Sequence, residues 1–243
     1  MKLIDIEQRT DKWLHWRKQG LTASEASVIM KSSPYKGPWE LYMQRKGKIA
    51  PPDLSNNKSV KRGIKFEPYI RNRLREKYGA LADVCGEWDE DPTFRASFDG
   101  LDVSNRPHEI KVSGDRVFWE LQTQEEDSRT YKMYRWQVVH QCLVSGSKVG
   151  FLHIANISGN ARVGKKTAMD APLLTFEITP TEEEFDALKK EGAEFWRCLL
   201  NNSPPVPLVE SDKKLQQGYS SHKRSIFWIG VIVAAILLLV LLG

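Results

Sequence analysis

Apolar residues recur at the three- and four-residue spacing of a helix in three long stretches of the chain. The segment SVKRGIKFEPYIRNRLREKYG, residues 59–79, predicts a helix that ends at Gly79, with Pro68 near its start or at a bend. Residues 130–146 predict a second helix closed by Gly146. Residues 181–200 predict a third, since Thr181 and Glu184 have the spacing of a capping box. Shorter helices are expected in residues 11–20, 21–30, 37–48 and 116–122.

A second pattern, short apolar runs bounded by turn residues, predicts strands between and after these helices. The expected strands are LADVCGEW, FRASFDG, LDVS and HEIKVS in residues 81–113, then KVGFLHIAN and PLLTFEIT in residues 148–179. Helices therefore precede a small central sheet, and further helices and strands follow it. This order predicts an α/β or α+β domain with a central mixed β-sheet flanked by helices.

The end of the chain has a different pattern. Residues 201–224 are rich in proline and polar residues and predict a linker, which leaves residues 1–200 as the folded domain. Residues 225–243 include the uncharged run IFWIGVIVAAILLLVLL, preceded by Lys223 and Arg224. This run predicts a single C-terminal transmembrane helix with the main domain in the cytoplasm. The alternative is a hydrophobic tail that binds a partner.

Composition narrows the function only slightly. The net charge of +5 and pI near 9.0 are compatible with a polyanionic partner. The cations Lys58, Lys61, Arg62 and Lys65 either follow a DNA backbone or form an ordinary solvated helix face. The chain has three widely spaced cysteines and no CxxC pair, which argues against a cysteine metal site or a disulfide framework.

The stretch SFDGLDVSNRPHEIKVS, residues 97–113, contains the most distinctive chemistry. Side chains alternate along a strand, so Glu109 and Lys111 lie on one face and Ile110 points into the core with its carbonyl available. Asp99 and Glu109 on neighbouring strands can converge on one hard cation such as Mg²⁺. Local spacing leaves two interpretations open: a solvated hairpin with an ion pair, or a metal site with a catalytic lysine.

Five ordered motifs around this stretch resemble those of a known family. They are W-x-x-x-R-x-x-G-L-T-A-S-E from Trp13 to Glu25, G-x-x-F-E from Gly63 to Glu67, S-x-D-G from Ser97 to Gly100, E-I-K from Glu109 to Lys111, and the helix glutamine Gln137. From about residue 10 to residue 200 the chain resembles the phage lambda exonuclease and YqaJ-type viral recombinase family, within the PD-(D/E)XK nuclease superfamily. The resemblance implies a restriction-endonuclease-like core.

The resemblance also implies ligands for two Mg²⁺ ions, for which Mn²⁺ can substitute. Asp99, Glu109 and the carbonyl of Ile110 would hold one ion. Glu67 with Asp99 would hold the second.

Other roles follow from the same resemblance. Lys111 would act beside the nucleophilic water, and Gln137 would position Lys111 or the scissile phosphate. The 5′-phosphate of a DNA end would be bound by Arg17, Ser24 and Ser97. Arginine and serine supply hydrogen-bond donors that suit phosphate oxygens.

The activity implied is a 5′→3′ exonuclease that leaves 3′ single-stranded tails on duplex DNA for phage-type recombination. Its partners would be DNA ends, a single-strand annealing protein, further copies of itself in a trimer, and the membrane through the tail. A bacterial or phage origin fits this. Alternatives are a structure-specific or membrane-held defence endonuclease of the same superfamily, or an inactive, membrane-tethered DNA-binding scaffold.

Overall fold

A mixed β-sheet lies at the centre of the computed structural model, which describes residues 1–158, 165–207 and 209–220. Its strands are β1 (Lys2–Ile4), β2 (Leu21–Thr22), β3 (Ala82–Glu87), β4 (Phe94–Leu101), β5 (Pro107–Ser113), β6 (Gly150–Asn156) and β7 (Leu173–Ile178). The strand order is β1-β3-β4-β5-β6-β7, with β2 beside β4. The β2–β4 and β5–β6 pairs are parallel, and the other pairs are antiparallel. The predicted mixed sheet is confirmed.

Helices lie around this sheet. They are α1 (Asp11–Lys18), α2 (Ala26–Ile29), α3 (Pro38–Arg45), α4 (Lys58–Tyr78), α5 (Asp115–Gln124), α6 (Arg129–Ser145), α7 (Lys165–Asp170) and α8 (Glu182–Leu200). The side chain of Asn57 accepts hydrogen bonds from the amides of Ser59 and Val60 and caps α4, which then continues through Pro68. The capping box predicted from Thr181 and Glu184 is present at the start of α8.

Two apolar clusters pack on the sheet. In the larger one, Val138 and Val139 of α6 join Phe98 of β4 and Leu152 of β6. The smaller one unites Phe66 and Ile70 of α4 with Ile110 of β5. Because side chains alternate along β5, Ile110 points into the α4 cluster while its neighbours Glu109 and Lys111 face the other way. The two clusters therefore fix the orientation of the central residues of β5.

The turn between β4 and β5 differs from its prediction. Residues 101–104 were expected to form a strand, but β4 ends at Leu101. The buried carboxylate of Asp102 accepts hydrogen bonds from the amides of Ser104 (2.9 Å) and Arg106 (2.8 Å), and Asn105 adopts a left-handed φ of 59°. These side-chain bonds favour a turn over a strand, because they take the amides that a ladder would need.

The C-terminal region also differs from its prediction. Within the expected linker, residues 210–220 are helical and Asp212 is fully buried. Leu215 and Tyr219 pack against the larger apolar cluster. No helix in the described part of the chain is long and apolar enough to cross a membrane. The predicted transmembrane segment, residues 225–243, lies outside the described residues.

The close packing of α8 on the sheet yields a stability prediction. A Cβ atom at Gly192 would lie 2.7 Å from Cζ of Phe94 and 3.1 Å from Cδ1 of Leu21. Overpacking costs about 1–3 kcal/mol and should outweigh the gain of about 1 kcal/mol in helix propensity, so Gly192→Ala should lower the free energy of unfolding, measured by urea denaturation. As a control, Gly63→Ala in α4 meets no atom within 4 Å and should gain about 1 kcal/mol from helix propensity. Equal effects of the two substitutions would contradict this packing.

Candidate functional site

The site begins where β4 and β5 separate. The paired residues of the two strands are Gly100 with His108 and Leu101 with Pro107. Directly beyond these pairs, Oδ2 of Asp99 accepts a hydrogen bond of 2.9 Å from the main-chain amide of Ile110. A carboxylate thus satisfies an amide that a continuing ladder would have paired. This bond fixes Asp99 beside the middle of β5.

Glu109 is the most heavily satisfied carboxylate of the site. It is 1% exposed, and its Oε1 accepts from Nζ of Lys111 (2.5 Å) and Nε2 of Gln137 (2.7 Å). Its Oε2 accepts from Nε2 of Gln141 at 2.6 Å. Gln137 was expected to position Lys111 or a phosphate, whereas here it contacts the carboxylate. Gln141 lies one turn further along α6, and sequence reasoning gave it no role.

Glu67 on α4 lies between two arginines. Nη2 of Arg9 contacts Oε2 at 2.9 Å, and Nη2 of Arg71 contacts Oε1 at 2.7 Å. Sequence reasoning missed both partners. The i,i+4 spacing of Glu67 and Arg71 is a signal that could have identified one of them. Arg9 gives no such signal, because it is far away in sequence and adopts a left-handed φ of 70°.

The carboxylates of Asp99, Glu67 and Glu109 repel one another in this partly buried site. Burial and the charges of Glu109 and Glu67 raise the pKa of Asp99 well above its ordinary value. Burial also raises the pKa of Glu67. Burial alone would lower the pKa of Lys111. The negative charge of the adjacent Glu109 has the opposite and, with its neighbours, larger effect, so the pKa of Lys111 is raised. Lys111 is therefore a cation at neutral pH.

The site fits a divalent cation by the chemistry of its donors, although its side chains are engaged with one another. In the side-chain arrangement of the described residues, no group of three or more His, Cys, Asp or Glu could hold a metal ion. Glu67 and Glu109 are instead engaged by arginine, lysine and glutamine. The donor types nevertheless fit a hard cation, because they are carboxylate and carbonyl oxygens. Burial, and the neighbouring charges of Glu109 and Glu67, also raise the pKa of Asp99, and a bound cation would oppose this shift by favouring the carboxylate.

A second group of side chains lies at the end of α1. Nη2 of Arg17 donates to Oγ of Ser24 at 2.6 Å and to Oγ1 of Thr22 at 3.3 Å. The guanidinium carbon lies 4.4 Å from the ring centroid of Trp13, within cation–π range. The carboxylate of Glu25 accepts from the amide of Thr22 at 3.0 Å and fixes the turn that carries Ser24.

Trp13 connects this group to the sheet. Its Nε1 donates to Oγ of Ser97 on β4 at 2.8 Å while its ring faces Arg17. The predicted residues Arg17 and Ser24 are thus in direct contact, and Ser97 joins them through the indole. Trp13 belongs to the opening sequence motif, but sequence reasoning assigned it no task.

One cleft of about 500 Å³ contains both groups. All nine residues predicted from the sequence line it: Arg17, Ser24, Glu67, Ser97, Asp99, Glu109, Ile110, Lys111 and Gln137. Tyr35 and Tyr134 also line it, and Nζ of Lys111 lies 5.1 Å from the ring centroid of Tyr134. His108, by contrast, points away and contacts His153, with 2.9 Å between Nδ1 and Nε2.

Comparison with known families gives a clear relationship. The model of the YqaJ-like viral recombinase domain matches residues 12–148, more than half of the chain. The chain belongs to this family. The resemblance inferred from the sequence motifs is thereby confirmed, and all nine predicted site residues lie inside the range matched by the YqaJ-like model.

Two relatives of this YqaJ-like chain have no characterised activity. Uncharacterized protein YqaJ of Bacillus subtilis (strain 168) is 24% identical over 198 residues, which cover 78% of this chain and 56% of that protein. Uncharacterized protein R354 of Acanthamoeba polyphaga mimivirus is 35% identical over 66 residues, 27% of this chain and 12% of that protein. The chain spans little more than half of the first relative and about an eighth of the second.

Solved structures share the fold. An alkaline exonuclease from Laribacter hongkongensis superposes with a TM-score of 0.61 at 19% identity, covering 87% of this chain and 99% of that one. The same enzyme in complex with dAMP gives 0.59 at 18% identity, with the same coverage of both chains. A phage related exonuclease from Haemophilus somnus 129PT gives 0.55 at 12% identity, covering 75% and 96%.

The charge repulsion in the site predicts a pH-dependent gain in stability for Asp99→Asn. A carboxyl whose pKa is raised by folding opposes folding increasingly as pH rises above its unfolded value and through its folded value. In a chelating buffer, Asp99→Asn should therefore melt above the wild type at pH 8, by about 2–4 °C per kcal/mol of relieved repulsion. The difference should shrink towards pH 5. Asp127→Asn, an exposed carboxylate, is the control; a gain that does not depend on pH would contradict this explanation.

Proposed function

We propose that the protein is a metal-dependent 5′→3′ exonuclease that degrades one strand of duplex DNA from an end and leaves a 3′ single-stranded tail. The observation that carries the proposal is the single cleft in which the Arg17–Ser24 pair lies beside Asp99, Glu109 and Lys111. A pocket for a terminal phosphate next to a hydrolytic site is what exonucleolytic cleavage requires. The known exonucleases that share the fold support the same activity.

End recognition would begin with Arg17. Its guanidinium remains a cation at neutral pH even though burial lowers its pKa, and a planar guanidinium matches the oxygens of a phosphate. The hydroxyls of Ser24 and Ser97 add neutral donors. Trp13 holds Arg17 and Ser97 at fixed positions, so the pocket is organised before DNA binds.

The cleavage site would use oxygen ligands. Asp99, Glu109 and the Ile110 carbonyl would hold one Mg²⁺, and Glu67 with Asp99 a second, with Mn²⁺ able to substitute. When bound, such ions make water nucleophilic at neutral pH and stabilise the charge on the phosphate.

Lys111 would supply a positive charge beside the reacting phosphate. Since its pKa is raised, the ammonium is protonated at neutral pH and is not available as a general base. It would instead stabilise the developing charge and orient the attacking water. Gln137 and Gln141 would hold the Glu109 carboxylate in the plane that this chemistry needs.

The products determine the biological role that we propose. A 3′ single strand is the substrate of a strand-annealing protein, so such a protein is the expected partner in phage-type recombination. A ring of copies around DNA is the expected assembly for the family. We assign the nuclease to residues 1–220, because helical residues 210–220 pack on the body of the domain.

A strand-polarity assay tests this function. Linear duplex DNA with 5′-phosphates, labelled at one 3′ end and mixed with Mg²⁺, should lose nucleotides progressively from the 5′ end of the labelled strand. Lys111→Ala should slow this reaction by about 100-fold or more, while Lys132→Ala, a lysine on the exposed part of α6, should not. Cleavage of a closed circle would favour the endonuclease alternative. DNA binding without hydrolysis would favour the scaffold.

Gln141 provides a second prediction for the reaction. Gln141→Leu removes the donor to Oε2 of Glu109 and should lower the cleavage rate by about 10- to 100-fold, because such outer contacts orient the ligand. Melting temperature reports folding separately. Gln122→Leu, at an exposed position of α5, is the matched control. A wild-type rate in Gln141→Leu would rule out this positioning role.

A further inference from the structure

Helix α3 is capped by a residue from the opposite end of the chain. Its own N-cap is Gly37, which has no side chain to accept from the first-turn amides. Asp212 takes this role: Oδ2 accepts from the amide of Trp39 at 2.9 Å, and Oδ1 accepts from the amide of Glu40 at 3.0 Å. Asp212 is fully buried, and its hydrogen bond to the amide of Trp39 is shielded from water.

The surroundings of Asp212 are closely packed. A Cβ atom on Gly37 would lie 2.2 Å from Oδ2 of Asp212 and 2.2 Å from Cγ2 of Val209. The ring of Tyr219 packs edge-on against Trp39 with 6.2 Å between centroids. Residues 209–220 therefore lie directly on the start of α3, and glycine at residue 37 makes that approach sterically feasible.

The last residue of α3, Arg45, contacts the segment that follows α1. Arg45 donates to the carbonyl of Gly20 at 2.6 Å and to the carbonyl of Arg17 at 3.2 Å. The end of a helix leaves such carbonyls without intrahelical partners. Arg45 also lies 3.5 Å from Oε1 of Glu25, whose carboxylate fixes the turn that carries Ser24. One side chain thus contacts the backbone of Arg17 and the support of Ser24.

We propose that α3 is a brace for the end-binding pocket, with Asp212 and Arg45 as positioning residues for recognition of the 5′-phosphate. The inference rests on the proposed function. Asp212 fixes the start of α3, α3 carries Arg45, and Arg45 fixes the positions from which Arg17 and Ser24 approach a phosphate. The C-terminal helical residues thereby contribute to DNA-end specificity, although none of them is among the residues that line the cleft.

Loss of the brace should change specificity more than it changes general DNA binding. A 5′-phosphate engages the Arg17 group, whereas a 5′-hydroxyl end offers no anion to it. Displacement of Arg17 should thus weaken one substrate selectively. A purely structural role of Asp212 would affect binding of both kinds of end alike.

The experiment measures affinity without cleavage. The full-length chain is titrated in EDTA into duplex DNA that carries a 3′ fluorophore and either a 5′-phosphate or a 5′-hydroxyl, and anisotropy is followed. Arg45→Ala and Asp212→Ala should each weaken binding of the phosphorylated duplex by about tenfold and of the hydroxyl duplex by less than about twofold. Arg17→Ala is the positive control. Arg197→Ala and Asp127→Ala, both at exposed positions, are the matched controls.

A further variant separates the capping of the α3 amides from the contact between α3 and Asp212. Gly37→Ser supplies a local N-cap hydroxyl, but its Cβ atom displaces Asp212. It should therefore lose the phosphate preference while α3 stays capped, and it decides the question if Asp212→Ala does not fold. If both Gly37→Ser and Arg45→Ala kept the preference for a 5′-phosphate, the bracing role of α3 would be wrong, while the proposed function would be unaffected. Absence of any preference in the wild type would overturn the 5′-phosphate pocket of the proposed function as well.

Discussion

The separation of β4 from β5 is the constraint on which the site depends. Pairing ends at Gly100 and His108, and the amide of Ile110 then bonds to the side chain of Asp99. A continuous ladder would have taken this amide for the backbone. The separation brings a carboxylate to the centre of the sheet while the buried Ile110 side chain holds β5 against α4. Ile110 therefore serves both the core and the site: its side chain packs against α4, and its amide holds the carboxylate of Asp99.

Burying three carboxylates near one another is unfavourable, and each is offset in its own way. Glu67 has two arginines, Glu109 has a lysine and two amides, and Asp99 has a main-chain amide. The last is the weakest compensation, since an amide carries no net charge. Burial, together with the charges of Glu109 and Glu67, raises the pKa of Asp99 well above its ordinary value. Asp99 is thus where added positive charge would stabilise the site most.

Under the proposed function, this distribution of charge would allow a polyanion to approach an acidic site. The cations Arg9, Arg17 and Lys111 line the same cleft as the carboxylates. A terminal phosphate at Arg17 would be attracted at one end of the cleft, and the repulsion of the following phosphate by Asp99 would be reduced by Lys111. In the proposed reaction, attraction of the terminal phosphate and charge balance at the point of cleavage would therefore be separate requirements, met by different residues.

Local sequence rules predicted a large part of this arrangement. Strand alternation placed Glu109 and Lys111 on one face with Ile110 inward. The resemblance of the ordered motifs to a known family, rather than local rules, selected the remaining residues that the fold gathers into one cleft. Alternation says nothing about where two strands separate, so the contact between Asp99 and the Ile110 amide could not be foreseen. Nor could the bond from Arg9 to Glu67, because it depends on a left-handed residue that is 58 positions away in the sequence.

Asp212 shows the same limit at the scale of the whole domain. A segment rich in proline and polar residues predicts a linker, because few of its side chains can be buried. Asp212 is fully buried and accepts from the amide of Trp39, 173 residues earlier, in a helix whose N-cap, Gly37, has no side chain to accept from the first-turn amides. Neither the sequence around Gly37 nor the sequence around Asp212 indicates that the two segments are in contact. The contact of Asp212 with the start of α3 thus depends on an unsatisfied helix terminus far away in the sequence, which composition alone does not reveal.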